Sequence, residues 1–226
     1  MSGLPRGVVF DFSGTLFWIE DAVSAVRQAL GPVFEPLAPE LARLGAINGS
    51  PESADLPDHL ADAWRDRDLS ADLHRTAYSG LAVHAGLSPQ QAHRLYERGV
   101  QVGAWNPFDD TLEVLQRLHE AAVPVALLSN IGWDPRPVLA GHGVDGLFAS
   151  LVLSDERGVM KPDPRIFAMA CADLGLAPED VVMVGDSAAN DGAATALGMR
   201  FELVAAHPRH REPGALLRAV GLTSRR

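Results

Sequence analysis

Apolar runs at positions 7–10, 123–128, 150–153, 181–185 and 201–204 fit short strands buried in a parallel sheet. The later runs are separated by segments with helical spacing, such as Thr111 to Ala121 and Pro164 to Leu174. Buried strands alternating with helices predict an α/β fold with a doubly wound parallel sheet. Between the first two runs the pattern changes, and Glu20 to Leu30, Pro57 to Arg67, Leu69 to Val83 and Pro89 to Val102 all read as helices. A plain crossover between strands needs only about 12 residues. The excess predicts an inserted, all-helical cap domain at 17–105, interrupting a core made of 1–16 and 106–226. The chain would return near Trp105-Asn106-Pro107. Ligands of open α/β sheets bind beyond the carboxyl ends of the strands. An insertion leaving from the end of the first strand is therefore expected to cover the site and to select the substrate.

Composition narrows the classes of function. The chain has 226 residues, 47% of them hydrophobic, enough for one α/β domain plus a sizeable insertion. A net charge of −10 argues against nucleic-acid binding, which needs clustered cations to offset phosphate repulsion. Only Arg6 and no long apolar stretch precede the first strand, so neither a secretory signal nor a membrane span is expected. Cys171 is the single cysteine, which leaves no internal disulfide and suggests a buried thiol in a reducing, cytoplasmic protein. A small-molecule partner and a monomer or homodimer are the matching expectations. Arg209 to Arg226 is locally basic and reads as a short helix with a tail. Lys161 is the only lysine among nineteen basic residues, so chemistry that needs a primary amine must use it.

Four separated pieces fall at predicted strand ends: Asp11-Phe12-Ser13-Gly14-Thr15, Ser129-Asn130, Lys161-Pro162, and Gly185-Asp186 followed by Asn190-Asp191. Each alone is weak, but their order and spacing resemble the haloacid dehalogenase-like hydrolase superfamily over the whole chain. The insertion lies where helical-cap members carry theirs. The resemblance implies a Rossmann-like core. Val8-Val9-Phe10 delivers Asp11 to a Gly-Thr turn, where an ionised carboxylate can attack phosphorus or carbon and form a covalent intermediate that water later cleaves. An isolated aspartate there would more simply cap a turn; the four-part set favours the nucleophile. Gly14 lets the loop backbone approach a ligand closely, and consecutive amides could cradle an anion.

The remaining pieces suit charge stabilisation. Ser129 ends an apolar run, so its hydroxyl can donate to an oxygen of the transferred group, although a turn or N-cap serine fits the same position. The resemblance favours the binding role and gives Asn130 a part through its backbone amide or by shaping the loop. Lys161 stands in a rigid loop leading to Pro164 near a helix start. Its compact ammonium can hold Asp11 and neutralise charge on the transferred group. Asp186 and Asp191 converging near Asp11 would repel unless a cation bound between them, and magnesium suits hard oxygen ligands. The resemblance implies that Asp11 and Asp186 ligate directly, that the Ser13 carbonyl supplies a third ligand, and that Asp191 supports the site through water or Lys161. Asp191 alone suits a helix cap equally well.

Ser13 stands where phosphatase members carry a second aspartate that protonates the leaving group and then activates water. A hydroxyl is a poor acid or base at neutral pH, and such catalysis is worth roughly a hundredfold to ten-thousandfold. Either another residue supplies the proton, with His59, His74, His84, Glu20 and Asp21 as candidates, or the leaving group needs none, as in an acyl phosphate or phosphoanhydride. Dehalogenase members also lack the second aspartate and need no magnesium, but they replace the Gly-Asp that stands here as Gly185-Asp186. A phosphonate-cleaving branch needs a cap lysine, and this cap has none. The favoured expectation is a magnesium-dependent phosphatase of a small organic phosphate, followed by a 2-haloacid dehalogenase and then a binding or regulatory protein with little turnover. Most of the tryptophans suit packing, whereas Trp18 and Trp133 follow catalytic strands closely and could line the face under the cap.

Overall fold

The computed structural model describes residues 4–47 and 56–223. Five strands, β1 (Gly7–Phe10), β4 (Val125–Ser129), β5 (Ser150–Leu153), β6 (Val181–Gly185) and β7 (Arg200–Leu203), form a parallel sheet in the order β5-β4-β1-β6-β7. Two further short strands, β2 (Phe17–Ile19) and β3 (Trp105–Pro107), make a separate ribbon that the apolar pattern did not reveal. The architecture is thus the expected α/β, Rossmann-like one. In register, Phe10 lies beside Leu127 on one neighbour and Val184 on the other. The carboxyl ends of β1, β4 and β6 therefore come level, and β1 sits where the strand order reverses. That switch point is the place at which such sheets bind ligands.

Both faces of the sheet are covered, which is why its strands read as unbroken apolar runs. Val9, Ala126, Leu128, Val152 and Met183 pack one face against Ile166, Phe167, Ala170 and Cys171 of the helix Pro164–Leu174. The Cys171 thiol is buried there. Pro164 opens that helix, the Asp163 side chain accepts from Arg165 N, and Gly175 closes it in the left-handed region. The helices Thr111–Glu120 and Ala215–Ala219 touch one another, and the former also contacts β4. A fully buried side chain such as Phe10 contributes about 1.5–3 kcal/mol relative to exposure.

The chain divides into two compact units. One holds 1–18, 107–130 and 139–226, and the other holds 19–106 and 131–138. The second unit is helical, with segments Ala22–Leu30, Ala38–Arg43, Ala61–Arg65, Ala71–His84 and Pro89–Gly99. Asp21 caps the first of these and a Ser88–Gln91 capping box starts the last. Val26, Leu41, Leu81, Ala92 and Leu95 belong to its own core. Residues 131–138 follow β4 in sequence yet group with this unit. Gly132 explains the grouping, since a Cβ added there would stand 2.4 Å from the Arg67 carbonyl and 2.7 Å from His74 Cβ. Among the described residues no helix is long and apolar enough to cross a membrane.

Candidate active site

The loop after β1 reverses at once. Gly14 N donates to Phe17 O at 2.7 Å, while Leu16 N and Phe17 N both donate to Phe12 O. Gly14 has φ +77°, and a Cβ there would stand 2.4 Å from Asp186 Oδ2, so a side chain is excluded twice over. This close approach belongs to a cluster in which Asp11, Asp186 and Asp191 each offer an oxygen within 4.8 Å of the others. Lys161 Nζ donates to Asp11 Oδ1 and to Asp191 Oδ1, each at 2.7 Å, and to Leu128 O at 3.3 Å. Those are all the donors an ammonium has. The second Asp191 oxygen accepts from Ser187 N at 2.9 Å, so each oxygen of that carboxylate accepts one hydrogen bond.

The Asn130 side chain shapes the loop that carries Lys161. Its Oδ1 accepts from Lys161 N at 2.7 Å and its Nδ2 donates to Lys161 O at 2.8 Å, pinning the lysine backbone from both sides. Ser129 is buried at the end of β4, and Ser13 is exposed, joined to Phe17 by an isolated bridge. Ser13, Gly14, Ser129, Asn130, Lys161 and Asp186 thus lie on loops or strand ends, and Asp191 at the start of a short helix, all in the unit that carries Asp11.

The charges do not balance. Burial pushes the Asp11 carboxyl up to about 7, with Lys161 pulling it back and Asp191 and Asp186 adding to the rise. Asp186 is likewise raised, by burial first and then by Asp191. Burial works against the Lys161 ammonium, but Asp11 and Asp191 outweigh it and hold the lysine protonated. The Lys161 ammonium, with the Arg211 guanidinium acting on Asp186, faces three carboxylates, and a divalent cation would relieve the excess. The donor set consists of hard carboxylate oxygens, which fits magnesium or calcium chemistry and not that of soft metals.

Of the groups considered as replacements for a second carboxylate at Ser13, Glu20, Asp21 and His74 are bonded within the second unit. Glu20 forms a two-point ion pair with Arg98, at 2.5 and 2.9 Å. Asp21 accepts from Ser24 N and Ser24 Oγ as a helix cap, which holds its carboxyl below the usual range. His59 and His84 are exposed. His74 is buried in the second unit, 3.0 Å from Tyr96 Oη, and burial lowers it to about 4. Trp133 packs on Trp105 in that unit, with ring centroids 5.5 Å apart.

Two residues beside the site carried no motif signal. Asp110 is buried and accepts from Leu216 N and Leu217 N, fixing the start of the last helix. Arg211 reaches from the same carboxyl-terminal region to Gly14 O. The sequence offered only a locally basic tail there, without spacing that related it to a strand end.

Comparison with known proteins gives the family of the chain. The chain matches the haloacid dehalogenase-like hydrolase family over residues 5–198 and belongs to that family of hydrolases. (S)-2-haloacid dehalogenase 4A of Burkholderia cepacia is 31% identical over 195 residues, covering 85% of this chain and 80% of the relative. Phosphoglycolate phosphatase of Pectobacterium atrosepticum is 29% identical over 197 residues, covering 86% and 78%. The crystal structure of a dehalogenase with an intermediate complex superposes with a TM-score of 0.67 at 25% identity, covering 90% of this chain and 86% of the other. Both chemistries therefore occur among its relatives.

Proposed function

We propose that the chain is a magnesium-dependent phosphatase of a small organic phosphate, working through an aspartyl-phosphate on Asp11. The observation that carries this reading is the excess of carboxylates, with Asp11, Asp186 and Asp191 around one fully engaged Lys161. Attack on a haloacid by Asp11 calls for no such cluster. An Asp11 oxygen attacks phosphorus, the bond to the leaving oxygen breaks, and water then cleaves the acyl phosphate to release inorganic phosphate. Lys161 keeps Asp11 oriented and, with the Ser129 hydroxyl, meets negative charge developing on the phosphoryl oxygens. Asp11, Asp186 and the Ser13 carbonyl would hold the ion, while Asp191 supports the site through its hydrogen bond from Lys161. Bound magnesium would neutralise phosphoryl charge and orient the group for in-line attack.

Ser13 shapes the substrate class. With Glu20 and Asp21 each committed to a local partner, leaving groups that depart without a proton are favoured, such as those of acyl phosphates or phosphoanhydrides. Ser13 also supports the second reading, a 2-haloacid dehalogenase, in line with the Burkholderia relative. A panel of acyl phosphates, phosphate esters and 2-haloacids, each with magnesium and with EDTA, separates the two. Phosphate release that disappears in EDTA and in a folded Asp11→Asn variant is expected. Halide release that persists in EDTA would replace the first reading with the second.

A further inference from the structure

We propose that Arg211 is a positioning residue of this site, whose guanidinium holds the nucleophile loop in place by the Gly14 carbonyl. The inference rests on the reading of Asp11 as nucleophile. Arg211 Nη2 donates to Gly14 O and Nε donates to Ala205 O, both at 2.5 Å, while the guanidinium carbon lies 3.8 Å over the Phe108 ring. Two hydrogen bonds from one planar fork plus a stacked face fix its position and rotation together. The side chain is itself delivered by a closed turn, in which Arg211 N donates to His207 O and His207 Nδ1 accepts from Arg209 N.

Simple attachment of the carboxyl-terminal segment would need only the Ala205 bond and the Phe108 stack. The third contact reaches instead to the residue that lies against Asp186, three positions beyond Asp11. Gly14 lacks a side chain of its own to restrain its peptide plane, so an outside donor supplies the restraint. Arg211 Nη1 is buried with no partner among the described residues. Leaving such a donor unsatisfied costs free energy, which the two carbonyl bonds, the ring contact and the charges of Asp110 and Asp186 offset. Lysine, a point charge without the fork, cannot keep both carbonyls and the ring contact. Arg211 lies beyond residues 5–198, over which the family model matches.

The test compares the full-length wild type with R211M, R211K and R211A, reading hydrogen exchange over residues 12–17, kcat and KM, and thermal midpoint. Exchange of those amides should quicken about tenfold in R211M, and kcat should fall about tenfold to a hundredfold, the scale of a misplaced reacting group, with KM nearly unchanged. R211K should resemble R211M, and guanidinium ion, but not methylammonium, should restore part of the R211A turnover. Unchanged loop exchange in R211M would overturn the proposal, as would a kcat loss that merely tracks the unfolded fraction. If the wild type releases no phosphate from any substrate, the functional reading fails, while loop exchange still decides whether Arg211 holds the loop.

Discussion

Ser13 is the residue at which the proposed chemistry is most exposed to test. It is exposed beside Asp11, the proposed nucleophile, which burial and two neighbouring carboxylates push up to about 7, and its side chain can move no proton at neutral pH. A carboxylate introduced there would supply the acid for the leaving group and the base for water. Ser13→Asp is expected to raise kcat on alkyl phosphates by about a hundredfold, the lower end of acid–base contributions. Its effect on acyl phosphates should be small, because their leaving groups already depart unaided. Steady-state rates on the two substrate types decide it, and equal gains, or none, would refute the account of Ser13.

At the scale of elements, the site depends on how closely loops approach one another. A Cβ on Gly185, at the end of β6, would stand 2.3 Å from Asp191 Cγ and Oδ2. Asp191 is buried, short, and bound on both sides by Lys161 and Ser187, so it cannot swing away cheaply. Gly185→Ala should cost about 1–3 kcal/mol of stability, as overpacking does, and should reduce kcat by at least about tenfold through the displaced lysine. Gly146→Ala meets no atom within 4 Å and serves as the neutral control. Urea unfolding and kcat of both variants check this, and a fully active Gly185→Ala would contradict it.

The strands themselves were legible, because burial on both faces writes continuous apolar runs and a carboxylate at the end of such a run is conspicuous. The ribbon of β2 and β3 was not, since each strand has only three residues and no burial alternation to mark it. The side-chain bonds of Asn130 to the Lys161 backbone, thirty-one residues away, leave no local pattern, so the sequence points to the loop and not to these atoms. Arg211, whose bond to Gly14 spans 197 positions, was invisible for the same reason.

For the whole molecule, the division into two units has consequences for how stability responds to pH. In the unit holding residues 19–106 and 131–138, His74 is lowered from its ordinary 6.5 to about 4, by burial first and then by the Arg67 charge. Between those values the unfolded chain binds a proton that the folded unit refuses. The stability His74 contributes is therefore complete above about pH 6.5, is lost as pH falls towards 4, and amounts to about 3 kcal/mol in all. Asp11 in the other unit has the opposite sign: its carboxyl is raised from 3.8 to about 7, so its contribution is full below 3.8 and disappears as pH rises through 7 in the absence of metal. Acid should thus weaken one unit through His74 while relieving the other through Asp11. Trp64, Trp105 and Trp133 all lie in the His74 unit, against Trp18 alone in the other, so tryptophan fluorescence reports mainly on the former. His74→Gln removes the titration while leaving an amide that can reach Tyr96, and in EDTA its urea midpoint by fluorescence should change less than that of wild type between pH 6.5 and 4. Two parallel profiles would mean that His74 does not carry the acid sensitivity of its unit.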